Sequence, residues 1–152
     1  MASKQPAVSV RDTHLGKAVF ARKNFRTNQV IGEILGDLHV DPNYSSNYCM
    51  ELGDGRALDP AAPFRFVNHS CNPNCEIFYY ESDEDGGPPT TLHLMAIRPI
   101  RMDEELTIDY AWPPDAAIPC QCGEATCRGW IVDPEELDLV LREQAVYQAD
   151  VA

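Results

Sequence analysis

The sequence predicts one mainly β domain, built from short strands with little helix. Short β-rich segments recur along the chain, and residues typical of turns, such as Gly53-Asp54-Gly55, separate them. The chain has 152 residues, which suits one domain with a substantial hydrophobic core. By pattern alone, the fold is therefore an irregular β domain.

The strand predictions follow from apolar runs and from the turns that bound them. Residues 28–38 begin with a turn and continue as a mostly apolar run, which is typical of strands in a buried sheet. Residues 81–89 are acidic and rich in glycine and proline, so we expect them to form an exposed hairpin loop. The predicted extended segments, in chain order, are residues 9–12, 17–21, 28–38, 44–52, 56–59, 76–80 and 91–97.

A helix is predicted near the C-terminal end. Asp133 is a typical N-cap, Pro134 suits the first helical position, and Glu136 would close a capping box. An apolar stripe follows at helical spacing, formed by Leu137, Val140 and Leu141. We expect this stripe to pack on the surface of the core.

The charge of the chain restricts its partners. The sequence has 12 basic and 24 acidic residues, a formal net charge of −12. Such a surface repels phosphate groups, so we expect no direct binding to nucleic acid. It attracts a lysine- and arginine-rich peptide, although acidic charge that serves only solubility explains the same composition.

Export and membrane signals are missing from the sequence. No apolar run is long enough to span a bilayer, and no hydrophobic export signal follows Met1. We therefore expect an intracellular protein without membrane association. Its six cysteines would form disulfides in a secreted protein, but in a reducing compartment closely spaced thiols are more often metal ligands.

Residues 65–75 are the most informative segment. They combine an arginine, a histidine, a serine, three asparagines and two cysteines without helical or strand periodicity. An unpaired polar group inside a fold costs roughly 1–3 kcal/mol, so this density of amides predicts a buried turn whose side chains bond to nearby backbone. The composition is typical of a functional site rather than of scaffold.

Three distant segments carry motifs that accompany this one. Residues 14–21 contain Gly16-Lys17-Ala18, residues 104–110 read Glu-Glu-Leu-Thr-Ile-Asp-Tyr, and residues 120–130 contain three cysteines. With Asn68-His69-Ser70-Cys71, these motifs occur in the order found in SET-domain protein lysine methyltransferases with a cysteine-rich post-SET tail. The chain resembles that family over roughly residues 8 to 132.

The resemblance implies a fold and a division of the chain. The SET fold consists of short curled sheets around a pseudoknot, in which Asn68-His69-Ser70 threads a loop beside residues 105–110. The SET domain would comprise residues 8–111, the post-SET zinc-binding segment residues 112–132, and the C-terminal helix and tail residues 133–152.

Cofactor contacts are also implied by the resemblance. In the family, a G-x-G turn and the N-H-S motif contact S-adenosylmethionine, an arginine supports the turn, and a tail residue covers adenine or the channel mouth. Ala18 stands where the family has a second glycine, and an alanine fits there only if its φ is negative. Ala62-Pro63 departs from another family motif. The implied cofactor residues are Gly16, Lys17, Arg65, Asn68, His69 and Trp130.

The implied chemistry is methyl transfer from a sulfonium to an amine, which depends mainly on geometry and electrostatics. The lysine ammonium must first lose a proton. A dry aromatic channel beside the sulfonium lowers the pKa of that ammonium, so no dedicated base is required. By resemblance, the hydroxyl of Tyr110 orients the amine, and Tyr48 forms a channel wall whose ring attracts the ammonium.

Closely spaced cysteines predict a metal site. Cys120, Cys122 and Cys127 supply three thiolates, one fewer than a structural zinc ion needs. The family uses the cysteine directly after N-H-S as the fourth, which is Cys71 here. Thiolates could instead hold an iron–sulfur cluster. We interpret Cys49 as a core residue and Cys75 as a spare thiol near the turn.

The implied function is S-adenosylmethionine-dependent methylation of lysine in a basic protein tail, such as a histone tail. A histone substrate would place the protein in the nucleus or on the chromosome, and another substrate in the cytoplasm. Ile108, two residues before the final tyrosine, would line the lysine channel without a hydroxyl to hold a water, which favours di- and trimethylation. The alternative is a catalytically silent SET module that binds a basic peptide, an interpretation favoured by the departures at Ala18 and Ala62-Pro63.

Overall fold

The computed structural model describes residues 6–41, 43, 46, 48–53, 56–80 and 91–151. The predicted loop at residues 81–89 lies outside these ranges. Within them strands predominate, and the α-helix α1 (Leu137–Val151) follows the last strand. The strands are β1 (Val8–Thr13), β2 (Gly16–Ala21), β3 (Val30–Ile34), β4 (Gly36–His39), β5 (Met50–Gly53), β6 (Arg56–Pro60), β7 (Asn68–His69), β8 (Cys75–Tyr80), β9 (Thr91–Ala96), β10 (Thr107–Ile108), β11 (Ile118–Pro119) and β12 (Trp130–Ile131).

The strands form small sheets rather than one large sheet. β1 pairs with β2, β7 with β10 and β11 with β12, and two three-stranded sheets have the orders β3-β9-β8 and β4-β6-β5. The predicted extended segments on either side of Gly16 form the antiparallel pair β1-β2, and those on either side of residues 53–55 and 81–89 form the antiparallel pairs β5-β6 and β8-β9. The predicted mainly β fold with a C-terminal helix is therefore confirmed.

The chain folds as two compact units. The first comprises Met1–Asn68 and Asn74–Thr107, and the second comprises His69–Pro73 and Ile108–Ala152. In the first unit, apolar side chains from several sheets form the core. Those that are at most 3% exposed include Val19, Phe25, Ile34, Leu94, Ile100 and Leu106.

The prediction that residues 28–38 lie in a buried sheet holds for β3 but is wrong for β4. β3 buries Ile31 and Ile34, whereas Leu35 and Leu38 are 64% and 51% exposed. Among the described residues, β3 and β4 are each the edge strand of a three-stranded sheet, so their place in the sheet does not explain this difference. An apolar run identifies a strand, but the elements that pack on its faces decide how much of it is covered.

Two cysteines have environments opposite to those predicted. Cys75, at the start of β8, is 1% exposed, and burial raises the pKa of its thiol to about 12. Cys49 is only half-buried, and its Sγ accepts a hydrogen bond from the Ser46 N–H at 3.4 Å. Cys75 is therefore the core residue, and Cys49 lies in the loop before β5.

In the second unit, Asp133 caps the helical segment, but the predicted capping box does not form. The Asp133 side chain accepts a hydrogen bond from the Glu135 N–H at 2.9 Å, at the start of the 3₁₀ turn Pro134–Glu136. A capping box would use the Glu136 side chain to bind the Asp133 N–H. That N–H donates to the Trp112 carbonyl at 2.9 Å instead.

The apolar stripe on α1 is narrower than predicted. Val140 is buried and Leu137 half-buried, but Leu141 is 47% exposed. Among the described residues, no helix combines the length and apolar character needed to cross a membrane.

Candidate active site and metal site

The predicted cofactor turn begins β2 in the first unit. Gly16 has φ = +109°, a conformation that L side chains rarely adopt. Ala18 is fully buried and lies within β2. Its φ is not positive, because the positive values found at described non-glycine residues belong to Asn28, Asp103 and Ala111. Ala18 therefore avoids the positive φ that its Cβ would make unfavourable.

Asn68 holds the backbone of this turn. Its Nδ2 donates to the Lys17 carbonyl at 3.1 Å and lies 3.4 Å from Glu105 Oε2. The Lys17 ammonium forms an exposed ion pair with Asp12 at 3.1 Å and lies 6.0 Å from the centre of the Phe66 ring. The structure thus brings together two predicted cofactor residues, Lys17 and Asn68. Glu105 joins them, although the sequence pattern did not single it out.

Arg65 and Tyr48, also in the first unit, are stacked on each other. The Arg65 guanidinium carbon lies 3.9 Å from the centre of the Tyr48 ring, and its Nη1 pairs with Asp59 Oδ1 at 2.8 Å. The Phe66 ring meets Tyr48 edge-on, with 6.5 Å between ring centres. One face of the predicted channel wall is therefore covered by a cation of the protein itself.

Asn74, directly before β8, bonds to the backbone at and just before β10. It is 2% exposed, its Nδ2 donates to the Glu105 carbonyl at 2.8 Å, and its Oδ1 accepts from the Thr107 N–H at 2.9 Å. This is the side-chain to backbone bonding that the density of amides predicts. Asn74 was not singled out from the sequence, and its position within the asparagine-rich segment was the available signal.

His69 and Tyr110 meet in the second unit. The Tyr110 N–H donates to His69 Nδ1 at 3.0 Å, and the two ring centres are 5.4 Å apart. Burial lowers the pKa of His69, with Arg128 acting in the same direction and Asp109 against it. In the neutral imidazole, an accepting Nδ1 leaves the proton on Nε2, which lies 3.4 Å from Cys71 Sγ. Both ring nitrogens of His69 are thus engaged within the unit.

An aromatic residue that was not predicted packs on Tyr110. Trp112 stacks on it with ring centres 5.3 Å apart and an interplanar angle of 30°. Its spacing of two residues from the tyrosine was the available signal.

Ile108, in β10, is 6% exposed, and its carbonyl accepts from the Ser70 N–H at 2.9 Å. Trp130, in β12, is half-buried and pairs with Pro119.

The four predicted metal ligands converge in the second unit. Cys71, Cys120, Cys122 and Cys127 place their Sγ atoms within 4.8 Å of one another. Cys71 Sγ lies 3.8 Å from Cys120 Sγ and 4.0 Å from Cys127 Sγ. A tetrahedral zinc ion with Zn–S bonds of about 2.3 Å separates its sulfurs by about 3.8 Å, whereas a disulfide requires about 2.0 Å. The spacing fits a single zinc ion, and it is narrow for a cluster whose thiolates bind separate irons.

Backbone N–H groups near the thiols would stabilise metal-bound thiolates, whereas burial alone favours neutral thiols at two of the four positions. N–H groups point at three of the sulfurs: Cys122 N–H at Cys120 Sγ (3.4 Å), Arg128 N–H at Cys71 Sγ (3.4 Å) and Gly129 N–H at Cys127 Sγ (3.3 Å). Burial raises the pKa of the Cys71 and Cys120 thiols. Burial acts on Cys122 as well, but N–H donors and neighbouring thiols lower its pKa to about 7. Four thiolates this close together require a cation to neutralise them.

Asp109 and Arg128 form a further pair that the sequence did not reveal. Arg128 Nη2 donates to Asp109 Oδ1 at 2.9 Å, and the two side chains are 14% and 24% exposed. The available signals in the sequence were weak. Asp109 directly precedes Tyr110 in the motif of residues 104–110, and Arg128 directly follows Cys127, the last cysteine of the tail.

Comparison with known proteins identifies a family. The model of the SET domain matches residues 16–111. A histone-lysine N-methyltransferase, H3 lysine-4 specific, from Emericella nidulans is 29% identical over 147 residues, which are 84% of this chain and 12% of that protein. A protein of the same description from Schizosaccharomyces pombe is 34% identical over 131 residues, 74% of this chain and 14% of that protein. The chain thus spans only a small part of the length of these relatives.

A solved structure shares the fold. The crystal structure of KRYPTONITE in complex with mCHH DNA, H3(1-15) peptide and SAH superposes with a TM-score of 0.68 at 25% sequence identity. The superposition covers 82% of this chain and 29% of that one. The small two- and three-stranded sheets described above therefore belong to a fold already seen in that protein.

Proposed function

This chain belongs to the SET domain family, and from that premise we propose that it is an S-adenosylmethionine-dependent protein lysine N-methyltransferase. Its relatives are named histone-lysine N-methyltransferases, and the KRYPTONITE structure contains an H3 peptide and SAH. We propose the N-terminal tail of histone H3 as the substrate. The net charge of −12 supports a basic partner of this kind.

The observation that carries the proposal is the way Tyr110 is held. Its N–H bonds to His69 Nδ1, and its ring is stacked on Trp112. A tyrosine fixed on both its backbone and its ring can hold its hydroxyl in one place, and placement is most of what methyl transfer needs from an enzyme. We propose that this hydroxyl orients the lysine amine toward the methyl group.

The reaction requires a neutral amine. In the proposed reaction, the substrate lysine loses its proton before it attacks, because an ammonium has no lone pair. Exclusion of water and the positive sulfonium both disfavour the ammonium. No side chain is then needed as a general base. The nitrogen lone pair forms the new N–CH₃ bond, the S–CH₃ bond breaks with its electrons remaining on sulfur, and a neutral thioether leaves.

The residues proposed to contact the cofactor are those that the family resemblance implies, and each is described within its own unit. In the first unit these are the turn residues Gly16 and Lys17, with Asn68 holding the Lys17 carbonyl and Arg65 supporting the turn. Two further proposed contacts are in the second unit. His69 would use its main chain, because its ring nitrogens are engaged with Tyr110 N–H and Cys71 Sγ, and Trp130 would cover the adenine or the channel mouth.

The metal would be held by Cys71, Cys120, Cys122 and Cys127, whose spacing fits zinc. Zinc bound there would neutralise the thiolates and stabilise the fold of the second unit. We propose that residues 8–111 form the SET domain, residues 112–132 the post-SET segment, and residues 133–152 the C-terminal helix and tail.

The degree of methylation, the location and the partners are further parts of the proposal. Ile108 is buried and has no hydroxyl to anchor a water, which supports di- and trimethylation. A histone substrate would place the protein in the nucleus. Although the KRYPTONITE structure contains DNA, the charge of −12 supports contact with the histone rather than with nucleic acid.

The alternative function is a silent SET module that binds a basic peptide without modifying it. One of its two arguments is weak, because Ala18 fits in β2 without a positive φ. The contacts that hold the backbone and ring of Tyr110 also favour an enzyme, since peptide binding alone does not require a fixed hydroxyl.

Methyl transfer from labelled S-adenosylmethionine to an H3(1-15) peptide tests the proposal. Wild type should transfer methyl groups, and Tyr110→Phe should lower kcat by roughly 100-fold while cofactor binding by calorimetry is retained. Tyr147→Phe, at a tyrosine 67% exposed on α1, is the matched control and should behave as wild type. Full activity in Tyr110→Phe would remove the hydroxyl from the mechanism. Peptide binding by wild type without methyl transfer to the H3 peptide or a panel of other basic peptides would favour the silent module.

A further inference from the structure

A continuous series of contacts in the second unit runs from a thiol of the metal site to the segment that holds Tyr110. Arg128 is its central residue. The Arg128 backbone N–H donates to Cys71 Sγ at 3.4 Å, while Nη2 of its side chain donates to Asp109 Oδ1 at 2.9 Å. One residue therefore contacts a metal ligand through its backbone and the neighbour of Tyr110 through its side chain.

The Arg128 side chain has little freedom in this position. It is 14% exposed, and Nη2 also donates to the Val132 carbonyl at 3.0 Å. The two acceptors fix the guanidinium plane between them. An arginine on the surface of a loop would lose this fixed geometry, because its side chain samples many rotamers.

At the other end, Asp109 controls the backbone around Tyr110. The same Asp109 Oδ1 that binds Arg128 also accepts the Ala111 N–H at 3.0 Å. Ala111 has φ = +48°, the left-handed region that is unfavourable for a residue with a Cβ. The hydrogen bond from its N–H favours this conformation and therefore sets the direction of the chain directly after Tyr110.

We propose that Arg128 is a positioning residue for the methyl-transfer reaction, which couples the thiol cluster to the placement of Tyr110 through Asp109. It touches neither substrate nor cofactor in this role. Arg128 anchors the Asp109 carboxylate, and the carboxylate holds Ala111 in its left-handed conformation. Tyr110 lies between Asp109 and Ala111 in the chain, so both contacts affect its placement. The proposal rests on the proposed function for its kinetic consequence, but its structural consequence is independent of activity.

A merely structural ion pair is the competing explanation. It would contribute to the stability of the second unit, and its loss would lower the unfolding temperature and the amount of active protein. It would not change the turnover of the folded fraction or the environment of the Tyr110 ring. The variants below separate these explanations by measuring both.

Arg128→Met is the main test, because it removes the guanidinium but keeps the backbone N–H that contacts Cys71. We expect one zinc per chain, cofactor affinity equal to that of wild type, and a fall in kcat of about 10- to 100-fold, the size of effect that a small misplacement of a reacting group produces. Asp109→Asn should have a similar effect, and the double variant should be no worse than the more impaired single variant, because both act through one contact. Arg128→Lys should recover part of kcat, since an ammonium reaches the carboxylate without the planar geometry.

A fluorescence measurement tests the same coupling without catalysis. In a Trp130→Phe background, Trp112 is the remaining tryptophan, and its stacking on Tyr110 makes its emission sensitive to the position of that ring. Arg128→Met and Asp109→Asn should shift the emission of the zinc-loaded protein in the same way. Arg142→Met, an exposed arginine on α1, is the matched control and should not shift it.

The two measurements distinguish failure of this proposal from failure of the proposed function. Emission shifts in both variants support the coupling even when wild type methylates no peptide. Unchanged emission and unchanged kcat in Arg128→Met, or additive losses in the double variant, would overturn it. Loss of zinc from Arg128→Met would also overturn it, because the residue would then act on the metal site and not through Asp109.

Discussion

The pair Arg65–Asp59 in the first unit and the pair Arg128–Asp109 in the second unit have nearly the same length but different surroundings. Arg65 and Asp59 are joined at 2.8 Å in the first unit, and Arg128 and Asp109 at 2.9 Å in the second. The Arg65 side chain is 34% exposed, lies over the ring of Tyr48 and also donates to the Pro60 carbonyl at 3.3 Å, whereas the Arg128 side chain is 14% exposed and also donates to the Val132 carbonyl at 3.0 Å.

Distance alone therefore does not rank these pairs. An ion pair near solvent contributes about 0–1 kcal/mol, because water screens it and the side chains lose entropy. Burial does not rank them either, because removal of either arginine leaves a partly buried carboxylate without compensation, Asp59 at 18% or Asp109 at 24% exposure. The comparison teaches that the second pair should matter more, because its partners hold the backbone next to Tyr110 and a thiol of the metal site.

The largest effect is expected when the thiol cluster next to the second pair is removed. Cys120→Ser combined with Cys122→Ser should abolish zinc binding and methyl transfer and lower the unfolding temperature, because two of four ligands are lost. Structural zinc contributes about 10–16 kcal/mol of apparent binding free energy in small zinc domains, so this is the largest effect expected. Elemental analysis, thermal unfolding and the peptide assay measure it.

Cys49→Ser is the control for that variant. Cys49 is half-buried and lies outside the four-thiol cluster, so its replacement should leave the zinc content at one per chain. A double variant that retains a full equivalent of zinc would show that these thiols are not the ligands.

Much of the site could be predicted from the sequence, and the reason lies in local chemistry. The amide groups of Asn68 have no role in a hydrophobic core, and the three closely spaced cysteines of the tail have few uses other than a metal. The fourth ligand, Cys71, lies 49 residues before Cys120, so only the resemblance to a known family could bring it to the same ion.

Other features could not be predicted, because they depend on tertiary placement. Cys49 and Cys75 differ in burial because of the strands around them and not because of their neighbours in sequence. The contact between Asp109 and Arg128 spans 19 residues and depends on side-chain rotamers. The exposure of Leu38 depends on what packs on the faces of β4, which no hydrophobic pattern encodes, since β3 is an edge strand as well and buries Ile31 and Ile34.

A substitution at the residue directly before Asp109, which leaves both partners of the second pair in place, should give a smaller and more selective effect. Ile108→Tyr should shift products toward monomethyl-lysine, because the new hydroxyl can hold a water where further methyl groups would lie. Mass spectrometry of a long reaction at excess cofactor measures the distribution. Wild type should yield di- and trimethyl products.

Ile108→Phe separates bulk from hydrogen bonding. Ile108 is 6% exposed, so either aromatic residue overpacks its site at a cost of about 1–3 kcal/mol. Only the tyrosine supplies a hydroxyl, so the phenylalanine variant should keep multiple methylation. The same monomethyl product from both variants would assign the effect to volume, and a wild-type reaction that stops at one methyl group would show that another residue closes the channel.

The smallest effect is expected at the first pair. Arg65→Met removes the ion pair with Asp59 and uncovers one face of the Tyr48 ring, where the guanidinium lies at 3.9 Å. Loss of a partly exposed pair should change the apparent affinity for peptide or cofactor by roughly two- to fivefold, or about 0.5–1 kcal/mol, with a smaller effect on kcat than that of Arg128→Met. Arg65→Lys keeps a cation over the ring and should lie between this variant and wild type. If the ring binds the substrate ammonium, removal of the guanidinium also removes a competitor for that face, which further limits the loss. A fall in kcat equal to that of Arg128→Met would show that the two pairs are equivalent, and that the link of the second pair to the Tyr110 backbone and the thiol cluster does not set its importance.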